Sequence, residues 1–168
     1  MNTSTKGFTL IELMVTMAII ALLSGILILS TNGARAKARD ATRISDVGQL
    51  QLSLQLFYDR CSQYPSTLAT TAANGCPSGI TLGNFISQIP MPPSGATGAN
   101  TTYDYFTLTS SGSVVNFVLH TKLEAYNAAV AKGLSAFPTG SWSGPSGITC
   151  SNASTPAPGS TDYCVTSN

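Results

Sequence analysis

Glu12 is the one charged residue between Lys6 and Arg35, and it stands at the mouth of an apolar run. A carboxylate in such a place is costly unless it neutralises a cation that shares its surroundings. The preceding Lys6-Gly7-Phe8 supplies a source for that cation. A cut between Gly7 and Phe8 would create an ammonium at Phe8 and make Glu12 the fifth residue of the shortened chain. Glu12 could then neutralise the N-terminal amine of a neighbouring copy, a chemistry that calls for self-assembly. The competing reading is a glutamate that reaches out of the apolar layer to water.

The remaining reactive residues are sparse. Cys61, Cys76, Cys150 and Cys164 form an even set in two local pairs, spaced for short disulfide loops. Four cysteines permit three connectivities, of which nearest-neighbour pairing, Cys61 with Cys76 and Cys150 with Cys164, is the expected one. Zinc is the rival reading, but there is no C-x-x-C unit and His120 is the single histidine. His120 lies in a strand-like apolar run, which suits a structural role. No G-x-S-x-G elbow, H-E-x-x-H or phosphate-binding glycine loop occurs, and the seven acidic residues show no close pair in sequence. An enzyme is not expected.

These residues need elements to hold them. Residues 13–31 carry no charge and, at about 1.5 Å rise per residue, would span roughly 28 Å as a helix. That length predicts a transmembrane helix. A cleavable secretory signal, cut after Ala36 in Ala34-Arg35-Ala36, fits less well, because the run is too long and Glu12 stands at its front. Beyond Asn32-Gly33, a weak point in helical propensity, Ile44, Val47, Leu50, Leu54 and Phe57 recur at spacings of three and four and predict an amphipathic helix packed on a sheet. The Arg/Lys/Asp segment before that stripe reads as facing solvent or a neighbouring copy. Residues 66–84 read as a surface loop. Residues 103–109 and 114–120 read as strands joined by a hairpin turn at Ser110-Ser111-Gly112-Ser113. Residues 122–126 could extend the second strand or open a helical stretch. From Pro138 onward the composition turns to Gly, Ser, Thr and Pro, with few regular elements expected.

Lys6-Gly7-Phe8-Thr9-Leu10-Ile11-Glu12-Leu13 resembles the class III signal of type IV pilins and type II secretion pseudopilins, and Tyr64-Pro65 resembles the pair that opens the connecting loop in short relatives. The resemblance implies cleavage by prepilin peptidase between Gly7 and Phe8, N-methylation of Phe8, and Glu12 as the filament-assembly carboxylate. It also implies the partners: further copies of the chain in a helical homo-polymer, the peptidase, an inner-membrane assembly platform, minor pilins, and the membrane before assembly. Major pseudopilins often hold calcium in the C-terminal loop. Calcium favours several carboxylates, and Asp162 is the one acidic residue after Glu124, which leaves calcium in doubt and no cofactor expected.

Charge bears on orientation. Arg35, Lys37, Arg39 and Arg43 cluster just past the apolar run, which by the positive-inside rule would place them in the cytoplasm. The cysteines point the other way, since disulfides persist in oxidising compartments, and the resemblance also requires a cytoplasmic leader. From Ile44 onward three basic residues face five acidic ones, so no basic surface for nucleic acid is expected. The sequons Asn100-Thr101-Thr102 and Asn152-Ala153-Ser154 leave glycosylation open.

The expected architecture is α+β: a long N-terminal helix, with a transmembrane half and an amphipathic half, packed on a small antiparallel sheet with a disulfide-closed C-terminal loop. Its parts are a leader at 1–7, a transmembrane and filament-core helix at 8–33, an amphipathic half at 34–60 and a globular head at 61–168. The expected protein is a pilus or pseudopilus subunit. It would be held as a single-pass precursor in a bacterial inner membrane, head outside, and then polymerise in the cell envelope or beyond it. The alternatives are a conventionally secreted binding protein and a permanently anchored envelope domain. The mature N-terminus, Phe8, Lys37 or Met1, separates the three.

Overall fold

Helical sequence runs unbroken by proline from the start of the apolar stretch to Pro65, and the computed structural model forms one helix, α1, over Leu10–Cys61. The structure describes residues 7–94, 102–124, 133, 139–145, 150 and 162–167, without the side chains of 26–32. Lys6, the asparagines of both sequons and the stretch 125–132 therefore lie outside the described residues. The chain divides into two compact units, Met1–Arg35 and Ala36–Asn168.

In the first unit every described residue from 7 to 25 is exposed, apolar ones included. Among the described residues no helix is long and apolar enough to cross a membrane. Residues 10–25, the apolar part whose side chains are described, would span about 24 Å, short of the roughly 30 Å of a hydrocarbon core, and they include Glu12. This finding corrects the expected transmembrane half of the helix. It equally corrects the expected single-pass precursor in the inner membrane. The weak point at Asn32-Gly33 does not interrupt α1 either.

In the second unit the apolar stripe of α1 does what its spacing dictates. Val47, Leu50, Leu54 and Phe57 are buried and pack with Phe117 and Leu119 of the sheet, while Ile44, at the start of the stripe, is half-buried. The helix stops where Ser62 takes a left-handed conformation, φ 54°, and its N–H closes on the Tyr58 carbonyl at 2.7 Å. Tyr64 follows, stacked on Tyr58 and edge-on to Phe117, and its N–H donates to the Val114 carbonyl at 2.9 Å.

The segment expected as a plain surface loop contributes to the core. Leu82 is fully buried, its N–H donating to the Ala72 carbonyl. Gly83 donates to the Thr70 carbonyl at 2.8 Å, and an added Cβ there would sit 2.9 Å from that oxygen, so the close approach needs glycine.

Among the described residues the sheet has four antiparallel strands: β1 (Asp104–Ser110), β2 (Ser113–Lys122), β3 (Trp142–Ser143) and β4 (Asp162–Thr166), in the order β3-β1-β2-β4. Ser111 and Gly112, both at positive φ, make the two-residue β1–β2 turn, as the twist of a tight hairpin demands. Alternation then sorts the two faces. Tyr105, Phe117, Leu119, Tyr163 and Val165 join the α1 cluster, while Phe106, Val118, Cys164, Cys150 and Trp142 form a smaller cluster on the other face.

Candidate functional site

The start of α1 places Thr9 as its N-cap and Glu12 in its first turn. The Thr9 N–H and the Thr9 hydroxyl each donate to Glu12 Oε2 at 2.9 Å, and the Glu12 N–H donates back to the Thr9 hydroxyl oxygen at 3.3 Å. This is a reciprocal capping box. The Thr9 backbone bond first, and the hydroxyl bond second, hold the Glu12 carboxyl below its ordinary pKa. Both bonds fall on one oxygen, and Oε1 accepts none among the described residues. Gly7 and Phe8 are exposed, Phe8 at 89%, and nothing lies within 4 Å of a Cβ placed on Gly7. Among the described residues of one chain, then, the residue brought to Glu12 is Thr9. Sequence reading passed over Thr9, although T-x-x-E ahead of an apolar helix is the signature of this cap.

The charged segment expected to face outward is turned inward. The Arg43 side chain is fully buried and donates through Nη1 to Asp40 Oδ1 at 2.7 Å and Glu124 Oε1 at 2.8 Å, and through Nη2 to the Pro93 carbonyl at 2.8 Å. Arg39 adds a two-point pair with Glu124, and the Glu124 N–H donates to Asp40 Oδ1 at 2.8 Å. Two guanidinium groups and two carboxylates thus balance one another and tie the segments around Pro93 and Glu124 to the helix. A face that sequence suggested for solvent or neighbours is spent inside the chain at Arg39, Asp40 and Arg43; Arg35 and Lys37 remain exposed.

His120, buried on β2, lies between two carboxylates: Nδ1 is 2.9 Å from Asp104 Oδ2 on β1 and Nε2 is 3.0 Å from Asp162 Oδ1 on β4. Burial alone would push the imidazole pKa down, but the hydrogen bonds to Asp104 and Asp162 outweigh it and the value is raised. Acidic residues far apart in sequence are brought together here by strand pairing. Asp162 is thereby engaged, and no group of three or more His, Cys, Asp or Glu among the described residues is arranged to hold a metal ion.

Cys61 is bonded to Cys76, and Cys150 to Cys164. An open depression of about 300 Å³ on α1 is lined by Gly48, Gln51, Leu52 and Gln55, which offer no acid, base or nucleophile.

Residues 2–28 match the family model described as the prokaryotic N-terminal methylation motif. The chain is 30% identical over 118 residues to the type II secretion system core protein G of Vibrio cholerae serotype O1, an alignment covering 63% of this chain and 81% of that protein. No solved structure matches. The similarity of this chain to a secretion-system core protein agrees with the absence of catalytic motifs from its sequence: this chain is not an enzyme. It belongs to the type IV pilin and type II secretion pseudopilin family, and its role is a structural one.

Proposed function

We propose that the chain is a prepilin, cut between Gly7 and Phe8 by a prepilin peptidase, N-methylated at Phe8 and polymerised into a helical filament of a type IV pilus or a type II secretion pseudopilus. The observation that carries this reading is the conjunction at the start of α1. An apolar helix is exposed on every side over its described residues, and a carboxylate at its first turn keeps one oxygen unengaged there. Contiguous apolar surface of this kind calls for a partner, and copies of the same helix supply one. Hydrolysis frees the Phe8 nitrogen as an ammonium, and methylation leaves its positive charge in place. Thr9 holds Oε2, so Oε1 of Glu12 is the atom offered to the Phe8 ammonium of the adjacent copy. Pairing removes both charges from the apolar contact at once, which fixes the axial register between subunits. The peptidase, an assembly platform and minor pilins are the partners this role requires.

The test is Glu12→Gln, which keeps the shape of the side chain and its capping geometry while removing the charge. The incoming ammonium would meet an apolar contact unpaired, a penalty of several kcal/mol. The expected variant is still cut after Gly7 yet gives few or no filaments by shearing and electron microscopy, and it lowers filament yield when mixed with the natural chain. Wild-type filament yield from the variant alone would sink the register role.

A further inference from the structure

Independently of the filament reading, the sheet carries a titratable latch. We propose that His120 works as an imidazolium clamp between Asp104 and Asp162, and that losing its proton loosens the Asp162 end of the C-terminal strand β4 from the sheet.

The geometry demands the charge. A neutral imidazole has one N–H, so it can donate to one carboxylate and must turn a lone pair toward the other. Both ring nitrogens stand within 3.0 Å of a carboxylate oxygen. Two good bonds therefore need both nitrogens protonated. The clamp crosses three strands: Asp104 faces His120 directly in the β1–β2 ladder, while Asp162 opens β4, in which Cys164 is the partner of His120. Among the described residues β4 is paired on one side, by β2, and it holds the Cys150–Cys164 disulfide. Asp162 also pairs with Lys122 in the ladder, and the far end of β4 is held by the Thr166 hydroxyl, which donates to the Phe117 carbonyl, and by the Gln51 amide, which donates to the Thr166 carbonyl, so the clamp governs the Asp162 end of the strand.

Among the described residues few other charges face the imidazole. On the same face, alternation places Phe106, Val118 and Cys164 around the imidazole, with Lys122 at the end of β2 opposite Asp162. β3 brings Trp142 and Ser143, neither charged. On the face covered by α1 the charged groups are Asp46, which accepts from the Tyr103 hydroxyl, and the Arg43 network. Between 125 and 161 the ionisable residues are Tyr126 and Lys132. No carboxylate is there to replace either partner.

The sign follows from the raised pKa in the folded chain. The clamp is fully made below the ordinary histidine value of about 6.5 and is lost as pH rises through the elevated one. Each unit by which docking of β4 raises that pKa multiplies the closed-to-open ratio of the strand by about tenfold.

The experiment uses the full chain in non-ionic detergent. The single histidine gives one imidazole signal, followed by nitrogen-15 NMR from about pH 5 to 9, and amide exchange reports protection of β4 relative to β1 and β2, corrected for intrinsic rates. The expected result is an imidazolium with both nitrogens protonated near neutrality, and β4 protection that falls selectively across the same titration. Asp162→Asn should lower the histidine pKa and move the loss of protection to lower pH; His120→Gln should abolish the pH dependence. Should His120→Gln fail to fold, Asp162→Asn and the natural chain still decide the matter. A neutral imidazole near pH 6, or β4 protection that does not change with pH, overturns the proposal.

Discussion

Glu124→Gln separates a charge network that holds one chain together from one that joins neighbours. Glu124 is 4% exposed and Arg43 0%, so their contact is a buried pair, whereas Arg39, 30% exposed, contributes through a partly solvated one. Removing one partner of a buried pair costs about 3–5 kcal/mol. Asp40 still faces Arg43 at 2.7 Å in the variant, so the lower end, about 3 kcal/mol, is the appropriate figure. The exposed fraction of Arg39 limits its share to about 1 kcal/mol or less. With a urea slope near 2 kcal/mol per M, the midpoint of head unfolding should fall by about 1.5 M. Trp142, the one tryptophan, reports that transition by fluorescence from β3, with the full chain held in mild detergent. Arg39→Ala should move the midpoint by at most about a third as much. A midpoint within about 0.3 M of the natural chain for Glu124→Gln, accompanied by loss of filaments, would refute the intrachain assignment and return these charges to contacts between copies.

Two further outcomes follow from the covalent features. Non-reduced peptide mass spectrometry should show Cys61 linked to Cys76 and Cys150 to Cys164. Loops of 15 and 14 residues are each worth about 3 kcal/mol by chain entropy, so reduction should lower the head's unfolding midpoint; free thiols in protein from intact cells would contradict this. Gly7→Val places a branched side chain beside the scissile bond and should leave the chain at full length, whereas normal cleavage of that variant would remove the processing assignment.

Much of the head was legible because local patterns and tertiary packing agree there. Val47, Leu50, Leu54 and Phe57 are buried at the spacing that announced them, and the β1–β2 hairpin closes on the turn its serines and glycine indicated. β3 and β4 were not legible. Asp162–Thr166 is held by pairing with β2 and by the His120 bridge, both distant in sequence, and although the local Cys150–Cys164 pair was expected, the strand sits in a tail whose composition resembles a linker. Arg39, Asp40 and Arg43 misled for a related reason. A run of charges normally faces water, and Glu124, which turns this one inward, lies 81 residues beyond Arg43. At the N-terminus, hydropathy drew attention to the run and to Glu12 but not to Thr9, whose effect is purely local. The transmembrane expectation came from length and absence of charge over residues 13–31, and it failed because no helix among the described residues meets that length and apolarity.

The central claim, that a chain headed by Phe8 is the polymerising unit, is tested most directly by determining the N-terminus and mass of the chain recovered from sheared filaments. The expected chain begins at Phe8, lacks residues 1–7 and carries one added methyl group on its terminal nitrogen. A chain that begins at Met1 or Lys37, or an unmodified amine at Phe8, would contradict it.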